Sequence, residues 1–123
     1  MKEGLNIGSK SVITFEVEKN MAAAFEGKTI HDVLSTAHLV YYAELAARRV
    51  VEPYLEESEE AVGSEINLKH IAPTKIGDKV EMKATLVAKD AKKLICKFEA
   101  SNSKGKICAG TQTQMMIRKG ELN

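Results

Sequence analysis

STAHLVYYAELAARRVVEPYLE, residues 35–56, is the one long stretch of this chain with a clear helical period. Ser35 and Thr36 open it, and both are good N-cap types, whose side-chain oxygen can take one of the helix's free N–H donors. Strong helix formers (Ala, Leu, Glu and Arg) dominate the remainder of the stretch. Pro53 stands near the far end, where a helix kinks or stops. At about 100° per residue, Leu39, Val40, Ala43, Ala46, Ala47, Val50 and Val51 share one arc, and Tyr41, Leu45, Arg48, Arg49 and Glu52 lie opposite. Thr36 projects near the middle of the apolar arc and Glu44 at its edge. A carboxylate bordering a stripe destined for burial needs an explanation.

The chain has 123 residues, enough for one real core, and reads as a single domain over 1–123 with no linker or internal repeat. Its 18 basic and 17 acidic residues nearly cancel, which argues against a dedicated nucleic-acid binder. No apolar run approaches the ~20 residues that span a bilayer, so no membrane association is expected. The opening MKEGLNIGSK lacks the apolar core and cleavage pattern of a signal peptide. Cys96 and Cys108 have neither metal nor redox spacing and read as reduced thiols. The expectation is a cytoplasmic protein.

Outside the helix, period-2 patterning dominates. Residues 9–18 put Ser11, Ile13, Phe15 and Val17 on one face. Residues 19–32 are expected to form a helical turn over MAAAFEG, closed by Gly27, and then a loop that could serve as a lid. EESEE after the helix reads as a solvated turn. Residues 61–72 alternate, with Val62, Ser64, Ile66, Leu68, His70 and Ala72 on the apolar face. Pro73 and Gly77-Asp78 make a turn. Strands over 79–89, 93–101 and 106–118 come next, with a hairpin loop at 102–105 and a polar tail from Gly120 to Asn123. Four successive strands joined by short turns should pair antiparallel, and their apolar face has one helix to cover it. The predicted fold is α+β, a five-stranded antiparallel sheet wrapped around one long central helix, which is the hotdog layout.

Three polar groups stand against the core pattern: Thr36, Glu44 and His70. Each has a plain structural reading. Thr36 would cap the helix, Glu44 would pair with Arg48 one turn on, and His70 would be a satisfied core histidine or sit at the strand's exposed end. Together they also suit acyl transfer to water. A carboxylate near an apolar wall gains basicity and can activate water or attack a carbonyl. An imidazole can protonate a leaving thiolate, a helix N-terminus offers N–H donors to an oxyanion, and a Thr hydroxyl can orient its neighbours.

At these residues the sequence resembles a known family. VLSTAHLVYYAELAA followed by VGSEINLKHIAPTKIGDKV is similar to the fluoroacetyl-CoA thioesterase-like group of hotdog proteins. That pattern has a Thr at the helix start, a Glu eight residues on, and a His 26 residues beyond the Glu on a V-G strand; here these are Thr36, Glu44 and His70, without a gap. The resemblance implies that Glu44 with Thr36 is the nucleophile or base unit and His70 the acid/base partner. It further implies that Gly63 lets bare backbone approach the thioester, and that the protein is a homodimer with sheets joined edge to edge and the acyl-CoA site at the subunit interface. Ser35, Ile30 and Phe25 join Gly63 as candidate substrate-binding residues. The family's fluoroacetate-specific enzyme closes its site with an aromatic lid. Phe25 lies in that region, but Ile30 stands close to the helix where the gating aromatic is expected, so the resemblance extends to thioester hydrolysis and leaves fluoroacetyl selectivity open.

The functional expectation is an acyl-CoA thioesterase for a short or small acyl group, with coenzyme A entering as part of the substrate and no separate cofactor. The alternative is a non-catalytic acyl-CoA or small-ligand binding protein on the same fold. No metal site is expected, since His31 and His38 lack a third ligand at suitable spacing. There is no G-x-S-x-G or Gly-rich phosphate loop, and the phosphates of CoA would rely on scattered lysines such as Lys69, Lys75 or Lys104.

Overall fold

The computed structural model describes residues 1–122. Its elements run β1 (Lys10–Glu16), β2 (Ala22–Phe25), β3 (Lys28–Leu34), α1 (Thr36–Val51), β4 (Glu59–His70), β5 (Lys79–Lys89), β6 (Lys93–Asn102) and β7 (Gly105–Arg118), with short 3₁₀ turns at Lys19–Met21, Glu52–Tyr54 and Lys119–Leu122. Asn123, the end of the expected polar tail, lies outside the described residues. Five strands form one antiparallel sheet in the order β1-β5-β6-β7-β4. Its concave face wraps α1, as the hotdog fold requires.

The expected helical arc is the buried one. Leu39, Ala43, Ala46, Ala47, Val50 and Val51 are buried, while Val40 is half-buried. Three of these are alanines, so the helix can lie close to the sheet. The sheet answers with Ile13, Val80, Met82, Ala84, Leu86, Leu94, Cys96 and Phe98. Two sheet side chains also grip the helix backbone: the Ser11 hydroxyl donates to the Ala46 carbonyl at 2.6 Å, and Gln114 Nε2 donates to the Ala47 carbonyl at 3.1 Å.

The structure departs from the sequence reading in four places. MAAAFEG is not a helical turn: β2 and β3 pair as an antiparallel hairpin. Glu26 and Gly27 at its tip both have positive φ (50° and 80°), the twist that two-residue hairpin turns need, and this overrides the helix preference of the alanines. The register slips between Ala24 and Ala23, which leaves Ile30 as an extra, bulged residue between the Thr29 and His31 pairs. Second, β4 pairs with β7 and not with β5, so the connection 71–78 crosses the end of the sheet. Third, a bulge at Ser64 resets the alternation of β4. Ala61 and Gly63 face the helix, and the expected inward Val62 and Ser64 do not. Fourth, the acidic run is not wholly solvated. Glu59 pairs with the N-terminal amine at 2.8 Å, and Glu60 pairs with Arg48.

Candidate active site

The candidate residues fall into two clusters. The first is at the start of α1. Ser35 is the N-cap: its Oγ accepts from the His38 backbone N–H at 3.1 Å and contacts His38 Nδ1 at 2.7 Å. Ser35 thus does the capping that Thr36 could have done. The Thr36 hydroxyl is free to reach the strand and lies 2.9 Å from His70 Nδ1. His70 is the last residue of β4, paired with Cys108. Its other ring nitrogen, Nε2, is buried with no protein partner among the described residues. A hydroxyl on Nδ1 fixes the ring and its tautomer and leaves Nε2 as the working nitrogen.

The second cluster surrounds Glu44. Arg48 does not pair with it: the Arg48 guanidinium is taken by Glu52 at 3.0 Å, by Glu60 and by the Ala61 carbonyl at 2.9 Å. Glu44 Oε2 instead accepts from Gln112 Nε2 at 3.0 Å. Gly63 makes room for this contact. A Cβ on residue 63 would sit 2.9 Å from Glu44 Oε2 and 3.3 Å from Gln112 Nε2. The space that the missing side chain leaves is therefore filled by the carboxylate. Gln112 is the residue that sequence reasoning misses. It hides in a Thr- and Gln-rich strand, but it shares parity with the inward Cys108 and is 1% exposed. A buried amide on the core face of a strand is the signal that could find it.

The two clusters do not meet within one chain. Eight residues of helix separate Thr36 from Glu44, a rise of roughly 12 Å. Along the strand, His70 and Ile66, the partner of Gln112, are four residues apart, roughly 13 Å. The remaining candidates belong to the hairpin that leads into Thr36. Phe25, beside the tip, is 73% exposed and Ile30 is 53% exposed, so neither covers a site within this chain. The hairpin is fastened at its base, where Leu34 N–H donates to Thr74 O at 2.8 Å and Ser35 N–H to Met21 O at 2.9 Å. Among the described residues no three His, Cys, Asp or Glu side chains are grouped to hold a metal. No helix among them is long and apolar enough to cross a membrane.

Comparison with known proteins gives a consistent picture. The family model described as fluoroacetyl-CoA-specific thioesterase matches residues 17–120. The fluoroacetyl-CoA thioesterase of Streptantibioticus cattleyicolor is 26% identical over 129 residues, covering 100% of this chain and 93% of the relative. A thioesterase superfamily member of Thermus thermophilus superposes with a TM-score of 0.93 at 29% identity, over 98% of this chain and 89% of that one. A variant of the fluoroacetyl-CoA-specific thioesterase, crystallised with fluoroacetate and CoA, superposes with a TM-score of 0.88 at 25% identity, over 96% of this chain and 99% of that one.

Proposed function

The chain belongs to the fluoroacetyl-CoA-specific thioesterase family and is a thioester hydrolase acting on acyl-CoA, and from that premise we propose that it cleaves a short or small acyl-CoA with Glu44, Thr36 and His70 in a homodimer. The observation that carries the assignment of residues is the Glu44 carboxylate, seated in the gap at Gly63 and held by Gln112 rather than by a cation. An acyl-transfer site needs such a group. One oxygen is fixed by a neutral donor, so the carboxylate keeps its charge and can engage the thioester carbonyl, directly or through a water. His70, oriented by Thr36, carries a proton to the departing CoA thiolate on Nε2, and backbone N–H groups at the start of α1 stabilise the oxyanion.

The separation of the two clusters supports a dimeric site. β4 is an edge strand of 12 residues, open to pairing on its outer side. When a strand pairs antiparallel with its own copy, its two ends exchange neighbours. The His70 end of one β4 then lies beside the Gly63 end of the other. Thr36 and His70 of one protomer thereby face Glu44 of the partner subunit, and the exposed Phe25 and Ile30 gain a surface to cover. In this reading residues 1–123 act as one unit in the cytoplasm and need no cofactor beyond the CoA of the substrate. Fluoroacetyl selectivity is not part of the proposal, because the bulged residue at the base of the lid is Ile30 and not an aromatic.

The test is hydrolysis of a panel of short, halogenated and aryl acyl-CoAs, followed by trapping of the free thiol. Glu44→Gln and His70→Ala should each lose about 10²–10⁴-fold in kcat. Wild-type rates in either variant would remove that residue from the mechanism.

A further inference from the structure

A cavity of about 460 Å³ opens at the end of the sheet, beyond the Thr36–His70 pair. Val33, Ala72 and Ile76 give it an apolar floor, and Lys75, Lys104 and Lys106 stand around it. Val33 precedes Thr36 by three residues and Ala72 follows His70 by two, so its inner end lies within roughly 7–10 Å of that pair by strand rise. In a chain whose net charge is +1, three ammonium groups on one cavity are a local concentration of positive charge.

The only carboxylate in its lining is Asp78, which is already engaged by the Ser103 hydroxyl at 2.7 Å and the Lys79 N–H at 2.8 Å. Lys106 makes an exposed pair with Glu99 at 3.4 Å, a contact that an anion can replace. Lys75 and Lys104 have no ion-pair partner among the described residues. The walls are fixed in advance. Asn102 Nδ2 donates to Pro73 O at 3.2 Å and Thr74 Oγ1 at 2.9 Å, and Asn102 Oδ1 accepts from Lys104 N–H at 2.8 Å. The β6–β7 turn is thereby tied to the 71–78 connection, and the lysines are presented from two joined walls.

We propose that this cavity binds the phosphorylated nucleotide end of the acyl-CoA, with its phosphates on Lys75, Lys104 and Lys106 and its adenine over the apolar floor. The pantetheine arm then spans the distance from the cavity to the thioester at His70. The inference rests on the acyl-CoA reading of the catalytic site. It assigns to three particular lysines the recognition of a nucleotide that the reacting groups never touch. The substrate class it implies is the full CoA thioester, in preference to the same acyl group on pantetheine.

The experiment has two arms. In the first, kcat/KM is measured for one acyl group carried on CoA and on pantetheine, in wild type and in a Lys75→Ala, Lys104→Ala, Lys106→Ala variant. The CoA-to-pantetheine ratio should fall at least about tenfold in the variant, the scale of a lost hydrogen bond to a charged group. It should not fall when Lys2, Lys10 and Lys92, outside the cavity lining, are changed instead. An unchanged ratio in the cavity variant would overturn the proposal. The second arm needs no turnover: adenosine 3′,5′-bisphosphate should bind wild type in calorimetry, bind the cavity variant at least about tenfold more weakly, and lose affinity as salt rises. Equal binding to both proteins would overturn the subsite even if hydrolysis is normal. Binding without hydrolysis of any thioester would instead overturn the catalytic reading and leave the subsite standing.

Discussion

Gln112 Nε2 donates to Glu44 Oε2 at 3.0 Å across the interface between sheet and helix, from a side chain 1% exposed. The other end of the same amide, Oε1, is buried without a partner among the described residues. A stabilising role alone would not favour this arrangement, since an unpartnered buried carbonyl costs free energy. Gln112→Leu removes both the contact and the unpaired oxygen. Its melting temperature should hold or rise, while kcat falls about tenfold to a hundredfold as the carboxylate loses its anchor. Parallel losses of stability and activity would show that the amide serves only the fold.

Two clusters that meet across a dimer can complement one another. Glu44→Gln and His70→Ala homodimers should each be nearly inactive. When they are mixed under conditions that exchange subunits, half the dimers become heterodimers, each with one intact site. About a quarter of wild-type activity should return. A mixture no more active than its components would mean that each chain carries its own complete site.

Gly63 and Gly110 separate function from folding. At Gly63 a Cβ would press on the side chains of Glu44 and Gln112, which can move. Gly63→Ala should fold with near-normal melting and lose on the order of 10²-fold in rate, because the displaced carboxylate misses its geometry. At Gly110 the same atom would fall 1.8 Å from the Asn67 carbonyl oxygen, which belongs to the strand backbone and cannot yield without breaking the β4–β7 register. Gly110→Ala should cost more than about 4 kcal/mol or fail to fold, as read by denaturant titration. A fully active Gly63→Ala enzyme would refute the seating of Glu44.

Cys96 and Cys108 are free thiols, and burial pushes each up to about 11. The folded state thus favours the neutral form, with a pKa above the ordinary 9.0. Their contribution to stability is full below pH 9 and is lost as pH rises towards 11, because the unfolded chain ionises first. The folded protein should react slowly with a thiol reagent at neutral pH. Its alkaline loss of stability should be shallower in a Cys96→Ala, Cys108→Ala variant. An equal slope in both proteins would count against the burial argument.

Much of the fold is legible in the chain. The helix stands out because Leu39, Ala43, Ala46, Ala47 and Val50 keep a period that only one secondary structure satisfies. The strands from Lys79 onward are equally clear, since Val80, Met82, Ala84 and Leu86 alternate strictly. The hairpin at 22–34 is not legible, because three successive alanines carry helix propensity but no period. The turn that decides the matter rests on the positive φ of Glu26, a residue type that gives no local warning. The bulge at Ser64 is invisible for a related reason. It changes which residues face inward without changing composition, so Val62 reads as core and Gly63 does not. Thr36 and His70 are expected near each other and are. Their separation from Glu44 is not readable, because spacing along a sequence does not tell whether two residues serve one site in the same chain or in two. The pairing of β4 with β7 is hidden too, since chain order favours neighbours.

The β2–β3 hairpin is held to the body at its base, through Leu34, Ser35 and the Val33–Lys75 bridge, while residues 24–32 are exposed. Its tip can therefore be lengthened, shortened or exchanged without disturbing a buried contact of the helix or the main sheet. Glu44, Gln112, Gly63, Thr36 and His70 all lie outside it. In evolutionary terms the molecule is divided into a conservative engine and an interchangeable cover, and homologues could diverge in the acyl groups they admit by rewriting about ten residues of the hairpin. A hairpin transplanted from a relative should carry substrate preference with it.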